Sequence, residues 1–261
     1  GLEHKWVRAA SATLATTIGT DFYTDNRKQE FEIGSNTFGG GQIIEDQYNY
    51  SHVDAYVNLT GSGKIAPDFS LSYNVGTNFW NKNLKNNYIQ GDGLNFVGFR
   101  ELANTSSIVS SIDHSPNRTF SMFGSVDLGY KNFLYLTVTG RNDWISSLIV
   151  PTKPFDAGDI DVFYPSASLS FVFSELLPSS NILSFGKARF SLAQVGGGAP
   201  SAYSTGTNYV VPNNTTTIYS LNDGWTNGIL FPFQGTSGYT YSPIQGNVSL
   251  IPSLTTDVEF G

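Results

Sequence analysis

The sequence of 261 residues contains no cysteine, one methionine and three histidines. Without thiols it can build neither a disulfide framework nor a thiolate metal site. A thiol-free chain suits an oxidising periplasm or the cell exterior. Charge is scarce too, at 13% of residues against about 25% in ordinary soluble domains. The formal net charge is −7, which argues against nucleic acid as a partner. No apolar run approaches the ~18 residues of a membrane-spanning helix. The opening stretch GLEHKWVR lacks the apolar core of a secretion signal.

Aromatic residues (14%) and glycines (27) are abundant, as in an all-β chain. Residues 120–144 carry the clearest pattern. Phe120, Met122, Val126, Leu128 and Tyr130 share one parity, and Ser121, Ser125, Asp127 and Gly129 fill the other. Successive strand side chains face opposite ways, so this arm has one apolar and one polar face. Lys131-Asn132 offers a tight turn, since Asn tolerates left-handed backbone angles. The return arm sets Leu134, Leu136, Val138 and Trp144 against Thr137, Thr139, Arg141 and Asp143. Phe133 and Tyr135 sit near the turn, where an aromatic belt would lie. Arms of this length match the roughly 9 to 11 residues of a tilted membrane-spanning strand.

The period-two signal recurs at 10–22, 52–60, 69–79, 164–174, 186–195 and 254–261, giving about eight strands and no convincing helix. Short connections are expected at 61–68, 131–132 and 175–184, and long polar loops at 24–47, 81–116, 146–162 and 197–252. Alternating short turns and long loops is the layout of outer-membrane barrels. The small hydroxylated parity suits a polar lumen, and the apolar parity suits hydrocarbon. The expected fold is all-β: an antiparallel transmembrane β-barrel, here a partial arc of about eight strands from a larger plugged barrel. An open arc would expose two edges to lipid, and the tail at 255–261 is too short to complete a spanning strand. Residues 1–261 are therefore expected to be part of a barrel, with a plug domain and C-terminal strands outside this sequence.

Chemical motifs are sparse. FGGGQ at 38–42 lacks the Lys and helix context of a phosphate loop. GGGAPSAYS at 196–204 contains no nucleophile elbow. His52 lies two residues from Asp54 on one strand face, which reads as a lumen-lining pair rather than a metal or catalytic pair. No catalytic residue, metal site or cofactor is expected. Arg141 and Asp143 share the polar face of RNDW, and Lys187 and Arg189 share another inward face. These four are lumen-lining candidates, since charges at membrane depth favour function. The 197–252 segment carries Tyr219, Asn222, Asp223, Trp225, Phe231 and Phe233. Rings beside Asn and Asp suit sugar hydroxyls, equally suit a protein interface, and equally suit packing of the loop on itself. They are the candidates for facing substrate or a lid.

Several segments resemble a specific family. YKNFLYLTVTGRNDWISSL, FYPSASLSFVFSELLP, LSFGKARFSLAQVGG and LIPSLTTDVEFG, in that order and spacing, with GDGLNFVGFRELAN at 91–104 before them, resemble the SusC/RagA-type TonB-dependent transporters of Bacteroidota outer membranes. Ser253 after Pro252 departs from the Glu usual in that family. The resemblance implies import of oligosaccharides or peptides across the outer membrane of a Gram-negative bacterium. It implies a SusD-like surface lipoprotein as lid, and TonB acting through the missing plug. It implies no covalent chemistry on the substrate, so not an enzyme. A passive barrel or a surface β adhesin without transport is the alternative, and a barrel enzyme a third.

Overall fold

A computed structural model describes residues 2–4, 11–178, 183–197, 200–207, 209–210, 236, 238–241 and 245–261. The chain runs as an antiparallel meander: β1 (Leu2–His4), β2 (Ser11–Ile33), β3 (Gly40–Ala66), β4 (Phe69–Leu94), β5 (Thr105–Tyr130), β6 (Leu134–Ile145), β7 (Asp161–Phe171), β8 (Ala188–Gly196) and β11 (Leu254–Phe260). These form one open sheet in the order β1-β2-β3-β4-β5-β6-β7-β8-β11. β9 (Tyr209–Val210) and β10 (Thr240–Tyr241) pair only with each other. The expected all-β arc is what forms, and its eight principal strands are β2 to β8 and β11. No helix among the described residues is long and apolar enough to cross a membrane.

Register turns the one-dimensional alternation into two-dimensional faces. Leu71, Leu128, Leu136, Leu169, Phe190 and Phe260 are consecutive cross-strand partners from β4 to β11. The neighbouring row on the other face reads Ser62, Ser72, Asp127, Thr137, Ser168, Ser191 and Glu259. A slip of one residue in any pair would break both rows, so the face preference itself fixes the register. Few apolar side chains are buried; Leu14, Ile18, Phe22, Val75, Met122, Val138 and Leu192 all stand exposed. No second layer covers the apolar face among the described residues.

Aromatic side chains bound this face above and below. Phe79, Phe120 and Trp144 are register partners at the upper limit. Phe69, Tyr130, Leu134 and Phe171 form the matching lower row. Each of β4, β5 and β6 spans ten residues between the two rows. At ~3.4 Å per residue and ~40° tilt this is about 26 Å, close to the ~25 Å apolar band of outer-membrane barrels. The lower edge carries tight connections: Pro67-Asp68, and Lys131-Asn132, both at positive φ (48° and 61°) as a two-residue hairpin turn requires.

The segments 24–47 and 81–116 correct the loop expectation. They are strand for most of their length, joined by short tips at 34–39 and 95–104. β2 to β5 therefore rise far above the upper aromatic row as a four-stranded blade. Regular apolar alternation ends at that row because most positions on both faces of the blade are polar, with Ile43, Ile89, Ile108 and Ile112 as exceptions on one face. Backbone pairing continues, and side-chain amides reinforce it. Gln47 Nε2 donates to Asn26 Oδ1 (2.8 Å), and Gln47 Oε1 accepts from Asn87 (3.2 Å) and Asn49 (3.3 Å).

Candidate functional site

The polar face at the depth of the apolar band holds a connected cluster. On β6, Arg141 and Asp143 lie two residues apart and so project from one face. Arg141 Nε donates to Asp143 Oδ1 at 2.6 Å, and Nη2 donates to Ser121 Oγ on β5 at 2.8 Å. Ser121 is fully buried. On β4, the buried Asn78 is the register partner of Ser121 and donates to Asp54 Oδ1 on β3 at 2.6 Å. Trp80, Tyr164 and Thr119 join Asn78, Arg141 and Asp143 around an open cavity of about 490 Å³.

Two glycines shape this wall. A Cβ on Gly76 would stand 2.6 Å from the Phe123 ring and 2.7 Å from the Val57 carbonyl oxygen. A Cβ on Gly196 would meet the Tyr164 ring. Aromatic rings thus press against bare backbone at two places on this wall, the Tyr164–Gly196 contact at the cavity itself.

Arg141 and Asp143 therefore meet, as their spacing anticipates. Lys187 and Arg189 do not join them. Lys187 is exposed before β8, and Arg189 sits at the lower end of the polar face opposite Ser170. Neither makes an ion pair among the described residues. His52 faces Asp21 on β2, Nδ1 to Oδ2 at 3.8 Å, and its ring meets Trp80 edge-on. Asp54 instead serves Asn78. Tyr219, Asn222, Asp223, Trp225, Phe231 and Phe233 lie outside the described residues. Sequence reading missed Asn78 and Ser121; both are small polar residues whose importance comes from cross-strand register alone.

Above the band, the same face of the blade is lined by rings and amides. Tyr23 and Tyr50 stack with centroids 4.8 Å apart, and Arg27 lies over Tyr48. Gln42 and Gln90 both donate to Asp92, and Tyr88 donates to Gln90 Oε1. Burial, with Asp92 and Asp46 nearby, pushes the Tyr88 hydroxyl up. A hydrogen bond to Asp46 does the same for Tyr48.

The 95–104 tip is held by one side chain. Asn104 is 3% exposed. Its Nδ2 donates to the carbonyls of Phe96 (2.8 Å) and Phe99 (2.6 Å), and its Oδ1 accepts from the Phe96 amide. Gly98 supplies the positive φ, 81°, that the turn needs. Arg100 ties the tip to β2 through Glu32 (2.7 Å) and Glu30 (3.6 Å). The Arg100 hydrogen bond holds the Glu32 carboxyl below its ordinary range.

Among the described residues, no cluster of three His, Asp or Glu could hold a metal. The polar face offers hydroxyls, amides, aromatic rings and guanidinium–carboxylate pairs, Arg141–Asp143 at the cavity and Arg27–Asp25 above it.

No protein-family model matches the sequence, and no curated protein matches it. Solved structures do. The chain is similar to the structure of the RagAB peptide transporter, with a TM-score of 0.70 at 14% identity, over 99% of this chain and 26% of that one. It is similar to the RagAB peptide importer in the 'open-open' state (TM-score 0.69, 15% identity) and in the 'closed-closed' state (0.67, 15%), with the same coverage. At such identity the likeness is one of fold. The chain spans about a quarter of the length of these neighbours.

Proposed function

We propose that this chain is a section of barrel wall from a TonB-dependent outer-membrane importer of peptides or oligosaccharides. The observation that carries the reading is the pair of faces. An apolar face about 26 Å tall, edged by aromatic rows, backs a face of Ser, Thr, Asn and Asp. Hydrocarbon is the solvent that leaves such an apolar face stable without a covering layer. The hydroxylated face then lines the lumen, with Arg141 and Asp143 toward the plug or the passing substrate. The open sheet edges pair with further strands of the same barrel, and the plug belongs to another part of the polypeptide. The neighbours are peptide transporters by name, so peptides are the first substrates to test.

On this reading the blade and the long upper connections face outward from the cell, beneath a SusD-like lipoprotein lid. TonB acts through the plug, the substrate passes unchanged, and no cofactor is involved. The residues at 219–233 are the loop candidates for touching lid or substrate.

The test is to purify the protein from native outer membrane in mild detergent. Every co-purifying chain is then identified by mass spectrometry, including the protein's own full length. A surface lipoprotein plus upstream plug peptides is the expected result. A lone chain of this length, with neither, would sink the reading and leave a passive barrel or an adhesin.

A further inference from the structure

We propose that the 95–104 tip is a preformed docking knob for a partner protein that presents an apolar socket rimmed by basic residues. The inference rests on the barrel-wall reading only for the direction the blade points. Phe96, Val97 and Phe99 are 71%, 75% and 52% exposed. Three large apolar side chains on one turn are costly to leave in water and mark an interaction site.

The turn is also rigid before anything binds. Asn104 closes three hydrogen bonds inside it, Ser106 Oγ bonds the Gly93 carbonyl and Asn95 Oδ1, and Arg100 anchors it to the neighbouring hairpin. Preorganisation removes the ordering cost that a mobile loop would add on binding.

Position excludes lipid as the occupant. Leu94 lies fifteen residues beyond Phe79 on β4, which puts the knob about 40 Å above the apolar band at ~3.4 Å per residue and ~40° tilt. Charge excludes a second copy. Glu30, Glu32 and Glu101 flank the knob's base and Glu45 lies further down the blade; Lys28 and Arg100 pair with Glu30, Glu32 and Glu45, and four carboxylates against two cations leave the surround net negative. A symmetric self-contact would set this acidic collar against itself. A convex apolar knob on an acidic collar is complementary to an apolar socket with Lys or Arg at its rim.

The experiment uses the full-length protein from its native membrane. A photo-crosslinking phenylalanine analogue replaces Phe96, and a control chain carries it at the apolar-face Phe22. In parallel, the partner retained by the unmodified protein is compared with that retained by Phe96→Ser/Val97→Ser/Phe99→Ser, and by Glu101→Lys. All three changed apolar side chains are exposed, so barrel assembly is unaffected, and resistance to SDS without heating checks this. Expected are crosslinks from position 96, absent from position 22, to an apolar segment flanked by Lys or Arg on another protein. Expected also are a loss of retained partner of at least tenfold in the triple variant and a smaller loss in Glu101→Lys. A partner retained equally by the triple variant, or crosslinks from position 96 to a second copy of this chain, would overturn the knob and leave the importer reading intact. An unmodified protein that retains no partner would overturn both.

Discussion

Phe120 on β5 and Trp144 on β6 lie across one ladder with ring centroids 5.6 Å apart, at the upper limit of the apolar face. Ten residues below, their strands carry Tyr130 and Leu134 as the matching pair. This spacing gives the sheet a height, and height implies a solvent.

A charge placed midway on the apolar face should therefore be costly where the same charge on the other face is not. Val138 is the partner of Val126, and Thr139 the partner of Ser125. Val138→Arg is expected to lose about 2–4 kcal/mol of folding stability in a bilayer. Thr139→Arg should lose far less. Denaturant titration of the two variants in vesicles checks this, and equal losses would refute the assignment of faces.

Arg141→Ala should strip a partner from both the buried Ser121 hydroxyl and Asp143. The expected cost is about 1–3 kcal/mol. Arg141→Ala/Asp143→Asn should recover part of it, because the stranded charge is gone. A double variant as unstable as the sum of the single ones would show that the pair is not coupled.

Gly76→Ala is expected to destabilise the wall by about 1–3 kcal/mol through overpacking. Phe123→Ala in the same chain relieves the ring contact but not the 2.7 Å approach to the Val57 carbonyl. Partial rescue is the predicted outcome; full rescue would mean the backbone yields easily.

Glu32 has its carboxyl held below the usual range by Arg100. The contribution to the order of the tip is therefore present above the ordinary glutamate pKa near 4.3 and fades as pH falls through the lowered native value. Hydrogen-exchange protection of residues 95–104 should drop in acid and be salt-sensitive, since the pair is solvent-exposed. Glu32→Gln should weaken the protection at neutral pH and reduce its acid dependence, the remainder resting on the Glu30–Arg100 pair. An unchanged acid profile in Glu32→Gln would refute the link.

The candidate site was legible in part. Arg141 and Asp143 sit two apart on one strand, so period two alone places them together. Ser121 and Asn78 join that cluster from other strands. Only the register, which matches Ser121 with both Asp143 and Asn78, brings them in. His52 shows the converse. Sequence put it beside Asp54, yet its ionic neighbour is Asp21, thirty-one residues away along the chain.

The sequence by itself determined the two faces, the turn at Lys131-Asn132 and the number of principal strands. Each is written locally, in a period of two that sets apolar side chains on one face of a strand and polar ones on the other. It did not determine that 24–33, 40–47, 81–94 and 105–116 are strands. There most positions on both faces are polar, so no regular alternation remains to be read, and the pairing rests on backbone hydrogen bonds and cross-strand amides between distant residues. The Asn104 clamp has the same origin. Its hydrogen bonds close onto Phe96 and Phe99 only when β4 and β5 bring the two ends of the turn together.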